Sequence, residues 1–208
     1  CACVCSWLCP CPRSCAISRY LQPSHGRRLS GRPACRSATR CSSKARIAAL
    51  GGRAEVGYDA INDGKKGIDC NGHGSHVAGI AAASTNNGIG MAGVARDASI
   101  QPVRVLGSCT YGYESDIADG IRYAAGQTIG GAVNRNPSDV INMSLALYGQ
   151  CGRTMQSAID YAVGSNVPVV VAAGNSADNA NMYPPANCSN VIAVGAAWME
   201  VWRKGGAQ

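Results

Sequence analysis

Gly72-His73-Gly74-Ser75-His76-Val77-Ala78-Gly79 sets two histidines three residues apart among small side chains and runs straight into the apolar segment Ile80-Ala81-Ala82-Ala83. Glycines let a backbone turn sharply and let neighbouring chains or a ligand approach closely. The pattern predicts a tight glycine loop feeding a buried helix, with one imidazole in its first turn. A histidine held there stands on a rigid element while its ring faces a cleft, as a general base requires. A lone histidine beside an apolar face is ordinarily a packed core residue. The neighbouring text has to decide between these two readings.

Working outward, Thr85-Asn86-Asn87-Gly88-Ile89-Gly90 is a turn cluster. Ser99 to Leu106 reads as a strand, with Pro102 at odds with a central position. Ser115 to Ala125 puts Ile117, Ile121 and Ala124/Ala125 on one helical face, with Ser115 as the expected N-cap. Val140 to Leu145 is a short apolar strand. Thr154 to Val163 is a helix through Met155, Ala158, Ile159 and Ala162, and Val167–Ala173 and Val191–Val194 are β-branched runs. Strands that are apolar on both faces and alternate with helices imply an α/β fold. We expect three layers, a mostly parallel twisted sheet with helices on both faces. Ligands of such sheets bind beyond the carboxyl ends of the strands. Asn142 to Ala146 and Gly174-Asn175 fall there.

Composition divides the 208 residues unevenly. Residues 1–50 hold nine of the nineteen Lys and Arg and no Asp or Glu, while the remainder carries ten basic and twelve acidic residues. Eight of the twelve cysteines lie between Cys1 and Cys41. Neither helical nor strand periodicity persists in residues 1–46. Their cysteine spacing is not the paired C-x₂-C of a zinc finger, and Trp7 and Tyr20 are too few aromatics for a nucleic-acid arm. Residues 1–50 therefore read as a Cys/Arg-rich segment, disordered or translated out of frame. No apolar run reaches the ~18–20 residues of a membrane helix, and no signal peptide can be made out.

The octet around His73 and His76 closely resembles the histidine motif of the subtilisin-like serine peptidases, or subtilases, which usually have threonine where Ser75 stands. Gly51 to Ala60 resembles the segment preceding that motif in proteinase-K-like and related secreted bacterial subtilases. Val169 to Asn175 resembles the family segment whose asparagine donates to the oxyanion, and Val140 to Leu145 the strand that pairs with extended substrate. The resemblance implies a subtilisin-like fold truncated at both ends, with a partial peptidase domain over 51–197 and a non-homologous tail at 198–208. It implies a serine-type endopeptidase in which His76 is the general base, His73 the structural histidine and Asn175 the oxyanion donor. Asn142, Ser144 and Leu145 would bind a peptide by strand addition, and Ala173 and Gly174 would line a small apolar specificity pocket.

The same resemblance locates departures. The family aspartate, in an Asp-Thr/Ser-Gly turn, belongs before Gly51, where the sequence has no acid; the Gly-Thr-Ser-Met-Ala motif of the nucleophile is not found after Asn175. We therefore expect this chain as it stands to be inactive, a rival reading being a non-catalytic peptide binder on the same scaffold. Ala146-Leu147 replaces the two glycines that usually follow the leucine, narrowing the peptide's space. No cofactor is expected beyond a structural calcium, for which the loop of Asp63, Asp69 and Asn71 offers oxygen ligands. Expected partners are polypeptide substrates, with no nucleic acid and no membrane, the protein being a secreted monomer. Related secreted enzymes form disulfides here. Among Cys70, Cys109, Cys151 and Cys188 both Cys70–Cys109 and Cys109–Cys151 stay open, with Cys188 left without a partner, and free buried thiols stay open as well.

Overall fold

The computed structural model describes residues 48–54, 57–65, 67–69, 71–88, 90–107 and 112–196. The 1–46 segment, Cys70, Cys109 and the 198–208 tail lie outside the described residues. Two parallel sheets form. β1 (Tyr58–Asp59) pairs with β2 (Val103–Arg104), and β3 (Ile141–Met143), β4 (Val169–Ala172) and β5 (Val191–Val194) run in that order. The helices are α1 (His73–Ala82), α2 (Glu114–Ala124) and α3 (Arg153–Gly164).

The core is the one that helical spacing predicts. Ile117, Ile121 and Ala124 of α2 face Met155, Ala158, Ile159 and Ala162 of α3, over Ile141 and Met143 of β3 and Val169 and Val171 of β4. Ile117, Met155, Ile159, Val169 and Val171 are buried almost completely. Fully burying one such side chain is worth roughly 1.5–3 kcal/mol, so this helix-pair-on-sheet layer dominates the stability. The opposite face differs from expectation. Ile192 and Val194 are exposed, as is Ala193 between them, on the end strand of this sheet, and Asn142 shares the face of Ile192 and Val194.

Element starts depart from the sequence reading for electrostatic reasons. α2 begins at Glu114, one residue before Ser115, and its N-cap Tyr113 makes no side-chain bond. Glu114 instead accepts the Met155 amide at 3.1 Å. It thereby serves the exposed amides at the start of α3, whose own N-cap, Gly152, has no side chain to offer. A Cβ on Gly152 would lie 2.3 Å from the Glu114 carboxylate, so a side chain there would displace that cap. In the first sheet the strand shrinks to Val103–Arg104, since Pro102 has no N–H; its carbonyl accepts Tyr58 N–H at 3.1 Å. Arg104 is buried against Asp59 at 3.0 Å and Asp63 at 2.8 Å, and Tyr58 stacks on Tyr123 of α2 with centroids 4.6 Å apart.

Gly120 is where α2 touches the first sheet. A Cβ there would lie 2.4 Å from Val105 Cγ1 and 3.0 Å from Val103 Cγ1, and valine cannot swing aside because its χ1 is stiff. Gly120→Ala should therefore destabilise by about 1–3 kcal/mol through overpacking, although alanine is the better helix former by about 1 kcal/mol. A urea melt checks the sign: stabilisation would mean the helix–sheet contact is loose.

Candidate active site

Two of the predicted segments stand side by side at the carboxyl ends of neighbouring strands. Met143 closes β3 in register with Val171 of β4. Asn142 is exposed, and its amide donates to Ser144 Oγ at 3.1 Å. Past β4, Ala173 N–H donates to Val194 O at 3.0 Å, which extends the ladder one residue before the chain turns. Gly174 makes the turn at φ +102°. A Cβ at Gly174 would lie 3.6 Å from the Tyr183 ring, and Asn175 follows, exposed. Asn142, Ser144, Leu145, Ala173, Gly174 and Asn175 thus share one rim of the β3–β4–β5 sheet. Tyr183, which the sequence reading did not single out, is buried beneath it and donates its hydroxyl to Asp178 at 3.2 Å.

The histidines stand on α1, which starts earlier than its apolar run implies. Gly72 is the N-cap, in the left-handed region at φ 95°, with no side-chain bond of its own. His73 is the first helical residue, so both imidazoles belong to the helix rather than one. The helix is also less buried than expected, Ala82 alone being fully enclosed. Its far end is held by Arg53, whose guanidinium donates to Ala82 O at 2.6 Å, to Ser84 Oγ at 3.0 Å and to Ala98 O. His76 is exposed. His73 is half-buried, and its Nε2 is shielded from solvent with no hydrogen-bond partner among the described residues. Burial lowers the His73 pKa; the Asp69 carboxylate opposes this and the His76 ring adds to it. Among the described residues no hydrogen bond ties either imidazole to the Asn175 rim.

Relatives identify the scaffold. The pattern of the subtilase family matches residues 49–200. The chain belongs to the subtilase family. It is 57% identical over 125 residues to an extracellular protease of Xanthomonas campestris, covering 60% of this chain and 21% of that protein. It is 43% identical to thermitase of Thermoactinomyces vulgaris, over 70% of this chain and 48% of the relative. Among solved structures, a protease of Pseudoalteromonas arctica superposes with a TM-score of 0.67 at 42% identity, covering 72% of this chain and 52% of that one. The fold is therefore the three-layer α/β architecture of the subtilisins. The chain spans about half or less of the length of these relatives.

In this subtilase the loop after β3 is clasped. Leu147 N–H donates to Pro184 O at 2.8 Å, Gly149 N–H to Met182 O at 3.0 Å and Asn187 Nδ2 to Gly149 O at 2.9 Å. These bonds lay the 147–152 loop against 182–188 and bring Cys151 and Cys188 to a Cα separation of 5.2 Å, where they form a disulfide. The pairing corrects the sequence expectation: Cys188 has a partner, and Cys151 is not available to Cys109. The calcium expectation meets a different arrangement as well. Asp63 is bound by Arg104 and Lys65, and Asp69 by backbone amides and Ser75. Among the described residues no group of three or more His, Cys, Asp or Glu gathers to hold a metal. Both carboxylates are thus bonded to donors of the protein itself.

Proposed function

We propose that this chain is the base- and oxyanion-bearing part of a secreted, monomeric serine endopeptidase that cleaves peptide bonds in extended polypeptides. Asn175 carries the reading. It is exposed immediately after the left-handed turn at Gly174, at the end of a central parallel strand. A carbonyl under attack by a serine gains negative charge on its oxygen, and a fixed amide donor aimed there stabilises the transition state selectively. The Asn142–Leu145 segment, exposed at Asn142, would present the substrate backbone to this donor by strand addition. The general base would remove the serine proton and return it to the leaving amine.

Between the two histidines, the packing supports His73 rather than His76 as that base. A buried ring nitrogen with no partner costs about 1–3 kcal/mol, a cost that folds keep where the atom has work to do. A histidine whose pKa lies below the ordinary value is neutral, and so able to accept a proton, at neutral pH. His76, exposed on the same helix face one turn on, would then be the supporting residue.

The nucleophile and the orienting aspartate would come from the family motifs, neither of which occurs in these 208 residues. The chain alone should bind an extended peptide without turnover and should resist labelling by a fluorophosphonate. In a version of the protein carrying both motifs, Asn175→Ala should lower kcat by about 10²–10³-fold with KM little changed, a magnitude known from subtilisin's own asparagine. Wild-type kinetics in that variant would remove Asn175 from the oxyanion site. Peptide binding with no turnover in the motif-bearing protein would favour the non-catalytic binder.

A further inference from the structure

We infer that Asp69 is the positioning residue of this site: its carboxylate fixes where the first turn of α1 stands and places a standing negative charge on the turn that carries His73. The inference rests on the proposed function for its catalytic meaning, but its geometry stands alone. Four hydrogen bonds converge on the one carboxylate. Oδ1 accepts Asn71 N–H at 3.0 Å and Gly72 N–H at 2.7 Å, and Oδ2 accepts Ser75 N–H and Ser75 Oγ–H, both at 2.7 Å.

The first turn of a helix has amides without intrahelical acceptors, normally met by an N-cap side chain. Gly72 cannot supply one, since it is glycine, and its left-handed backbone is what lets the chain enter the helix at this angle. Asp69, six positions earlier, takes the amide of Ser75 instead, and the Ser75 hydroxyl closes the same contact. His73 is thereby spanned on both sides, by Gly72 before it and Ser75 after it, each bonded to the same carboxylate. His76 N–H donates to Gly72 O at 3.0 Å, so the second imidazole hangs from the same anchored turn.

Charge gives the residue a second action. Burial pushes the Asp69 carboxyl up, but the Ser75 hydroxyl and the amides of Gly72, Ser75 and Asn71 outweigh it and hold the group ionised below the ordinary carboxylate range. Among the described residues, the groups acting on the His73 ring are Asp69, which favours the imidazolium, and His76, which opposes it. A base that becomes cationic in the transition state gains from a fixed anion that need not reorganise.

Imidazole NMR titration of the 208-residue chain tests this without any reference to proteolysis. In Asp69→Asn, which keeps the shape but not the charge, the His73 midpoint should shift downward, and Asp69→Glu should recover part of the shift. A merely structural cap would leave the midpoint where it was once the variant is folded. Should Asp69→Asn fail to fold, the unmodified chain decides. On acidification the amide signals of Gly72 and Ser75 should inflect together below the ordinary aspartate range, and the His73 ring signals should inflect at the same pH. An unmoved His73 midpoint in folded Asp69→Asn, or ring signals indifferent to that inflection, would overturn the inference. Absence of peptide cleavage with the shift intact would instead count only against the proposed function.

Discussion

Replacing His73 by alanine in the motif-bearing protein is expected to lower kcat/KM by about 10⁴–10⁶-fold, a scale known from subtilisin and other serine proteases rather than read from this structure. His76→Ala is expected to cost about tenfold or less, since an exposed side chain away from the reacting atoms enters the transition state only through packing and weak electrostatics. The asymmetry follows from where the two rings sit. Residues three apart on a helix share a face, so both imidazoles look toward the same side of α1 and spacing alone cannot rank them. Burial ranks them. His73 Nε2 is closed to water and unpaired among the described residues, whereas His76 is exposed. Water competes with any proton acceptor that it can reach, and a shielded nitrogen directs its lone pair to whatever group the site supplies. Steady-state kinetics on the two single variants decide the matter. If His76→Ala is the inactive one, the base is the exposed histidine and the buried nitrogen of His73 belongs to the packing alone.

Most of the scaffold was legible because it depends on periodicity. Ile117, Ile121, Met155, Ala158, Ile159 and Ala162 are at helical spacing and form the core, and Val169 to Ala172 and Val191 to Val194 are strands where β-branched runs stand. The carboxyl-end rule put Asn142 and Asn175 on one rim before any geometry was known. What was not legible depends on contacts between segments distant in sequence. The cap of α3 is the Glu114 carboxylate, 41 positions before the Met155 amide that it accepts, and no local pattern announces it. The start of α1 was misread because Asp69 caps it from outside the apolar period. Ile192 and Val194 read as buried, yet they lie exposed on the end strand of the described sheet, where Ala193 between them is exposed as well. The order of the two histidines is hidden for the same reason: sequence gives the face of a helix but not how deeply each ring on it is enclosed.

The second large effect is on stability. Cys151→Ser with Cys188→Ser should cost about 3–4 kcal/mol, the loop-closure entropy that a cross-link across 37 residues removes from the unfolded chain. Loss on that scale is a sizeable part of the ~5–15 kcal/mol that holds a domain folded. It should appear as a lower urea midpoint with a larger slope, since the uncrosslinked unfolded state is more expanded. The local effect is more informative than the global one. The bridge closes a clasp whose other members are Leu147 with Pro184, Gly149 with Met182, and Asn187 with Gly149. Opening it frees the loop that follows Asn142–Leu145 and the segment that carries Tyr183 under Gly174. Amide exchange should therefore rise first at Leu147 and Gly149 and next around Gly174, while Ile159 and Val171 in the α3–β4 core hold their protection until global unfolding. Protection lost evenly across both regions would mean the clasp and core unfold as one unit. Protection unchanged at Leu147 and Gly149 would mean that the backbone bonds alone hold the rim in place, and that the disulfide acts only on the unfolded chain.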